Sequence, residues 1–94
     1  MMRISATTEI EGGKIGTEIG RIEAASTWHA AINSALETQW REHALRALIR
    51  RAEDIDADAI VRVEYEVDAG QPMDEIGASL QRVRVTGIAV TLAA

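Results

Sequence analysis

The segment at residues 59–68 constrains the fold most, because apolar and charged side chains alternate along it with a period of two. Val61, Val63, Tyr65 and Val67 are the apolar positions, and a charged residue follows each of them. This alternation puts the apolar side chains on one face of a strand and the charges on the other. The segment therefore predicts a half-buried β-strand, which needs a partner strand and a covering layer.

Residues 80–92 are the predicted partner strand. Val83 and Val85 follow one phase of the alternation, whereas Ile88, Val90 and Leu92 follow the other. A change of phase within a strand indicates an extra residue in the ladder. We therefore predict a β-bulge at residues 86–87.

The two strands are expected to form an antiparallel hairpin across a loop at residues 68–79. The parity of the charged positions and the loop length put Glu66 opposite Arg82 and Glu64 opposite Arg84. Cross-strand ion pairing is a sufficient explanation for these four charges. General acid–base chemistry is therefore not needed to account for them.

The N-terminal quarter of the chain predicts two more strands, at residues 3–10 and 15–24. The connecting segment, residues 11–14, contains two glycines and is typical of a turn, since glycine adopts positive φ without steric cost. Gly16 and Gly20 interrupt the second strand and indicate a bulge or a close backbone approach.

Residues 27–55 contain no glycine or proline and carry an apolar stripe with helical spacing. A single helix of that length would span about 43 Å. Residues 34–37 match a capping box, so a break near Asn33 is the alternative. The predicted order is β-β-α-β-β in one domain, residues 1–94. This is the α+β class, an antiparallel sheet of about four strands packed on one long helix.

The net charge of −5 argues against a nucleic-acid partner, because phosphate groups would be repelled. The chain contains no apolar run long enough for a signal peptide or a membrane span. It also contains no cysteine, which fits a reducing compartment and excludes thiolate metal sites. We therefore expect a cytoplasmic protein with no nucleic-acid or membrane partner.

Residues 54–58 have the D-x-D-x-D spacing that opens a calcium loop. A complete EF-hand loop needs glycine at its sixth position and glutamate at its twelfth. This chain has Ala59 and Tyr65 there. A solvated helix end that leads into the next strand is the favoured interpretation.

His29 and His43 are the only histidines and the candidate metal ligands. On one continuous helix they would lie nearly four turns apart, with their side chains far from each other. Two separated imidazoles do not complete a tetrahedral site, so we expect no tight zinc or copper site within one chain. A weak divalent-metal site between subunits remains open, and surface histidines are the simpler interpretation.

Catalytic motifs are missing from the sequence. It has no G-x-S-x-G elbow, no G-x-G-x-x-G fingerprint and no P-loop. We therefore predict no catalytic residues. Trp28 and Trp40 are most simply core or interface anchors.

Three stretches, residues 8–20, 57–67 and 83–90, together resemble the YbjQ-like family, whose members carry the label "putative heavy-metal-binding". The resemblance implies a dodecin-like subunit, with one long helix against an antiparallel sheet, assembled as a homopentamer. Family members normally have an extra short helix and a glycine-rich turn before the long helix. The segment from Gly20 to Trp28 is too short for either. The glycine expected at the end of the long helix is Asp56. The chain thus resembles a shortened, divergent member.

The function implied by this resemblance is a homo-oligomeric binding or assembly module that holds a metal, a small molecule or another protein. An enzyme with its active site between subunits is the alternative. The dimensions of the elements independently favour assembly. Four strands span about 14–19 Å, whereas one helix is only about 10–12 Å wide, so a single helix cannot cover one face of the sheet. The apolar residues left uncovered, Ile88, Val90 and Leu92 among them, would be exposed in a single subunit and are expected to lie in subunit interfaces.

Overall fold

The computed structural model describes residues 2–10, 12–30, 37–73 and 78–93. Within these ranges the elements are β1 (Arg3–Ile4), β2 (Ile15–Ala25), β3 (His29–Ala30), α1 (Glu37–Asp54), β4 (Ala59–Met73) and β5 (Ala78–Leu92). The sheet has the order β1-β4-β5-β2, and β3 also pairs with β5. The predicted α+β class is confirmed. The sheet is mixed rather than wholly antiparallel, because β1 runs parallel to β4.

The predicted hairpin forms, but its register differs from the prediction by two residues. Glu66 lies opposite Arg84 and Asp68 lies opposite Arg82, while Glu64 faces Thr86. The predicted pairs were wrong because the presumed loop is largely strand: β4 continues to Met73 and β5 begins at Ala78. The predicted faces are correct, since Val63 is buried and Glu64 is exposed.

The predicted bulge exists, but its extra residue lies in β4. The register shifts between Val61 and Glu64, and Arg62 has a positive φ of 53°. Gly87 lies across from this bulge, where an added Cβ would come within 2.5 Å of Ile60 Cγ2. The backbone of β5 therefore keeps its alternation, and glycine is required for close packing against the bulged strand.

The helix is shorter than the continuous apolar stripe suggested. It includes Glu37–Asp54, and His29 and Ala30 belong instead to β3, where they pair with Gln81 and Leu80. The single helix over residues 27–55 was therefore wrong. The alternative, a break near Asn33 with a capping box at residues 34–37, falls largely on residues 31–36, which lie outside the described ranges.

A Schellman motif ends α1. The Ala57 amide donates to Ala52 O at 2.9 Å and the Asp56 amide donates to Glu53 O at 3.0 Å. Asp56 has φ of 58°, which is the left-handed conformation that glycine usually supplies at this position. An aspartate therefore stands where the backbone favours glycine.

The predicted N-terminal strand is confined to Arg3–Ile4. Beyond it, the Ser5 and Thr7 hydroxyls accept hydrogen bonds from the amides of Thr7 and Glu9. Short hydroxyl side chains commonly replace ladder bonds in this way and turn the backbone. The Gly13 amide then donates to Ile10 O at 3.1 Å, which confirms the predicted turn.

Apolar residues are buried on both faces of the sheet. The helix covers one face, where the larger cluster is formed by Ala24, Ala44, Leu48, Ala52, Ile60, Val63, Val83 and Val85. On the opposite face, Ile10 packs against Ala59, Val61 and Val90 of the sheet. Val90, which we expected to be exposed in a single subunit, is only 1% exposed because this N-terminal segment packs over it.

Candidate functional site

An indole ring that contacts two imidazoles is the most distinctive side-chain cluster of the described chain. The His29 ring stacks on the Trp40 ring with a centroid distance of 4.1 Å and an interplanar angle of 4°. The His43 ring lies 5.4 Å from the same indole at an angle of 34°. Trp40 packs against the helix-side core, which fixes the position of the cluster.

The two ring nitrogens of His29 are in different environments. Nδ1 lies 3.2 Å from Thr27 O. Because a carbonyl oxygen only accepts, Nδ1 carries the proton in this hydrogen bond. Nε2 is buried and has no hydrogen-bond partner among the described residues. A neutral ring in this tautomer has its lone pair on Nε2, and metal-ligating histidines are commonly oriented in this way by a backbone carbonyl.

The premise on which the two histidines were expected to lie far apart was wrong. It assumed that both lie on one helix, whereas His29 lies in β3 and His43 lies in α1. Pairing of β3 with β5 returns His29 to the start of the helix, so both rings contact Trp40. Periodicity could not have found this cluster, because it depends on a strand pairing between residues more than fifty positions apart in the sequence.

The described residues of one chain do not hold three candidate metal ligands in one place. The aspartates of the D-x-D-x-D segment lie at the end of α1 and in the turn that follows it. Asp54 is the last residue of α1, Asp56 is at the Schellman turn and the Asp58 carboxylate accepts the Leu92 amide at 2.9 Å. Any metal held by the imidazoles would need further ligands from elsewhere.

The outer face of the hairpin carries a network of charges. Arg84 pairs with Glu66, lies 3.4 Å from Asp68 and lies 3.8 Å from Glu23. Arg82 Nε donates to Asp68 Oδ2 at 3.0 Å. These groups are partly exposed, so each pair contributes less than about 1 kcal/mol. Three of the four charges that we expected to pair, Glu66, Arg82 and Arg84, belong to this network. The fourth, Glu64, lies opposite Thr86 and forms no ion pair with another described residue.

Tyr65 lies at the edge of the helix-side core, where the Arg41 guanidinium carbon is 5.3 Å from its ring centre. Desolvation by partial burial raises the pKa of Tyr65, and the positive charge of Arg41 opposes that rise. The phenol is therefore held in its neutral form.

The profile of a family described as "YbjQ, putative heavy-metal-binding" matches residues 29–93, which is more than half of the chain. The chain belongs to this YbjQ family. None of the curated proteins matches the chain in sequence. The matched region includes both histidines, the helix and the whole hairpin.

A solved structure has the same fold. It is a protein of unknown function from Pediococcus pentosaceus, assigned to the DUF74 family. Its TM-score is 0.69 at 15% sequence identity, and the match covers 98% of each chain. This agreement over nearly the full length supports the fold of this YbjQ member.

Among the described residues, no helix is both long enough and apolar enough to cross a membrane.

Proposed function

We propose that this YbjQ protein is a cytoplasmic homo-oligomeric binding module, a pentamer, with a weak divalent-metal site at the His29–Trp40–His43 cluster. The observation that carries the metal part of the proposal is the buried Nε2 of His29, which has no partner among the described residues, in a cluster whose indole also contacts a second imidazole. The family description supports the same ligand class. The number five comes from the resemblance to the family, while assembly itself has a physical argument.

The shape of the subunit supports assembly. Its radius of gyration is 15.5 Å and its extents are 55 × 22 × 18 Å. A compact domain of this length would have a radius of gyration of about 12 Å. The excess comes from the hairpin, because each 15-residue strand spans about 50 Å. The described core clusters extend along the hairpin only as far as Tyr65 and Val83, so the described residues provide no covering layer for its outer part.

The uncovered surface has features of a subunit interface. Among the described residues, no strand pairs with the outer edge of β4 beyond its contacts with Ser5 and Thr7. Val67 lies on this outer part and is 49% exposed. An open strand edge beside an exposed apolar side chain is a site at which another chain can add.

The metal part of the proposal needs ligands from two subunits. One chain contributes two imidazoles, and the described residues add no third donor to them. A neighbouring subunit can supply a carboxylate or a further imidazole and complete the set. Imidazole without thiolate suits zinc, copper and nickel at modest affinity.

Quenching of Trp40 fluorescence by Cu²⁺ tests this site, since both imidazoles contact that ring. Trp28→Phe leaves Trp40 as the single tryptophan. In this background, His29→Ala and His43→Ala should each weaken Cu²⁺ binding at least about tenfold, since loss of an outer-shell partner already costs about 10–100-fold. Glu42→Gln, which removes an exposed carboxylate next to His43, is the matched control and should bind normally.

The same titration contains the results that would refute the site. Equal quenching in the protein with both histidines and in the two alanine variants would place the metal elsewhere. A site shared between subunits should also lose affinity when dilution dissociates the oligomer. An affinity that is independent of protein concentration through that dissociation would contradict a shared site.

An enzyme with its active site between subunits is the alternative function. No constellation of nucleophile and base is found in the described side chains to favour it, and the charged groups of the hairpin network are paired with one another. The binding module is therefore the function that the geometry supports best.

A further inference from the structure

A pocket of about 270 Å³ lies on the face of the sheet opposite the helix. Three neighbouring strands line it, and the residues are Arg21 from β2, Arg62 and Glu64 from β4, and Thr86, Gly87 and Ile88 from β5. None of them belongs to the cluster of His29, Trp40 and His43. The pocket is therefore independent of the proposed metal site.

The strand register brings the charged residues of this pocket to one place. Arg21 of β2 and Val61 of β4 lie on either side of Ile88 in the ladder. Arg62 follows Val61, so the α-carbons of Arg21 and Arg62 are about 10 Å apart across β5, which is two strand spacings. Glu64 is the next residue of β4 that lines the pocket. One small ligand can therefore contact all three charged side chains.

The bulge in β4 places Arg62 at the pocket. Val61 packs against Ile10 on this face of the sheet, whereas Val63 belongs to the helix-side core, so the extra residue lies between them. Arg62 has a left-handed φ of 53°, which is unfavourable for a residue with a Cβ. Its amide donates to Thr7 O at 2.8 Å, which joins the bulge to the N-terminal segment. Bulges often re-aim a side chain in this way beside a functional site.

The three charged side chains of the pocket are exposed and have no ion-pair partner among the described residues. Arg21, Arg62 and Glu64 pair neither with one another nor with any other described group. The charges further along the same face are paired in the hairpin network. The pocket thus offers a ligand two guanidinium groups and one carboxylate, and Thr86 and Ile88 add a hydroxyl and an apolar floor.

We propose that this pocket binds a small zwitterion of the α-amino acid class. The ligand carboxylate contacts Arg21 and Arg62, whose planar guanidinium groups match its shape, and the ligand ammonium group contacts Glu64. An α-amino acid carries both charges on one carbon atom, so it meets groups of both signs within a small pocket. A simple anion would place its charge beside Glu64, and a simple cation would leave both arginines without a partner.

The test is a titration of the purified protein with L-leucine, N-acetyl-L-leucine and L-leucinamide at neutral pH and fixed ionic strength. Acetylation removes the positive charge of the ligand, and amidation removes its negative charge. Binding is followed by calorimetry and by the NMR signals of the arginine Nε–H groups. We expect leucine to shift the signals of Arg21 and Arg62. It should bind at least about tenfold more tightly than either derivative, the contribution of one charged hydrogen bond.

Substitutions separate the two charged contacts. Arg21→Gln and Arg62→Gln should each weaken leucine binding by about tenfold and should not weaken leucinamide binding, because leucinamide has no carboxylate. Glu64→Gln should remove the preference for leucine over N-acetyl-L-leucine. Arg46→Gln is the matched control, because Arg46 is exposed, carries the same charge and lies on the helix rather than in the pocket. Its affinity for leucine should be unchanged.

Each of three results would overturn the proposal. Either derivative binding as tightly as leucine would show that one charge of the ligand is not recognised. An equal loss in Arg46→Gln would reduce the effect of the arginines to net charge. The absence of leucine binding, with no shift of the arginine signals, would show that the pocket does not take this class of ligand.

Discussion

At the scale of single residues, Asp56 has a left-handed backbone conformation that disfavours a residue with a Cβ. This residue occupies the left-handed position of the Schellman turn, where a Cβ is unfavourable. Its carboxylate also lies close to the negative end of the helix dipole. Both effects oppose the native conformation, so the aspartate destabilises the turn relative to glycine.

We therefore predict that Asp56→Gly raises the free energy of unfolding by about 0.5–1 kcal/mol. Asp56→Ala is the control, since it removes the same charge but keeps the Cβ. Urea unfolding of the three proteins at one protein concentration measures the difference. If alanine stabilised the chain as much as glycine, charge rather than backbone conformation would be the cause.

The ionisation of Tyr65 is the second residue-scale prediction. Burial raises its pKa above the usual value of about 10, and Arg41 limits the rise. Because the folded-state pKa exceeds the unfolded one, the stability from the neutral phenol is complete below about pH 10 and is lost as pH rises through the folded-state pKa.

Tyr65 is the single tyrosine, so its ultraviolet titration reports this group directly. The folded protein should titrate at higher pH than the urea-unfolded protein, and Arg41→Gln should move the folded-state pKa higher still. An Arg41→Gln titration at lower pH than the parent would contradict the assigned role of the guanidinium.

At the scale of elements, sequence patterns predicted the parts whose signals are local. The alternation from Val61 to Val67 identified β4, and the glycines at residues 12 and 13 identified the turn. The patterns failed where long-range pairing decides the structure. The apolar stripe through His29 continues the helical pattern, yet pairing with Gln81 makes this residue part of a strand. The imidazole cluster was missed for the same reason.

The N-terminal segment gives an element-scale prediction. Ile10 is 8% exposed and covers Val61 and Val90 on the face of the sheet opposite the helix, whereas Ile4 is 37% exposed. Ile10→Ala should lower the free energy of unfolding by at least about 2 kcal/mol, the cost of truncating a buried isoleucine.

Ile4→Ala removes the same atoms from an exposed site and should cost clearly less. Both variants are compared by urea unfolding at the same protein concentration, because assembly contributes to apparent stability. Equal losses from the two substitutions would show that the N-terminal segment does not form a second core.

At the scale of the whole molecule, assembly into an oligomer would account for the extended hairpin and for the proposed metal site together. An isolated chain is longer than a compact domain of its size and leaves Val67 exposed beside an open strand edge. The described part of one chain also brings together two candidate metal ligands rather than three or four. Neighbouring subunits would cover the outer part of the hairpin and complete the proposed metal site.

Native mass spectrometry of the purified protein, with and without added Zn²⁺, tests this account most directly. We predict a closed oligomer, with a mass five times that of the 10.2 kDa chain, that takes up metal and loses this uptake in His29→Ala and His43→Ala. A dimer or hexamer that takes up metal in this way would correct only the subunit number. A stable 10.2 kDa monomer at low micromolar concentration, or an oligomer whose metal uptake is unchanged by both histidine substitutions, would contradict the account.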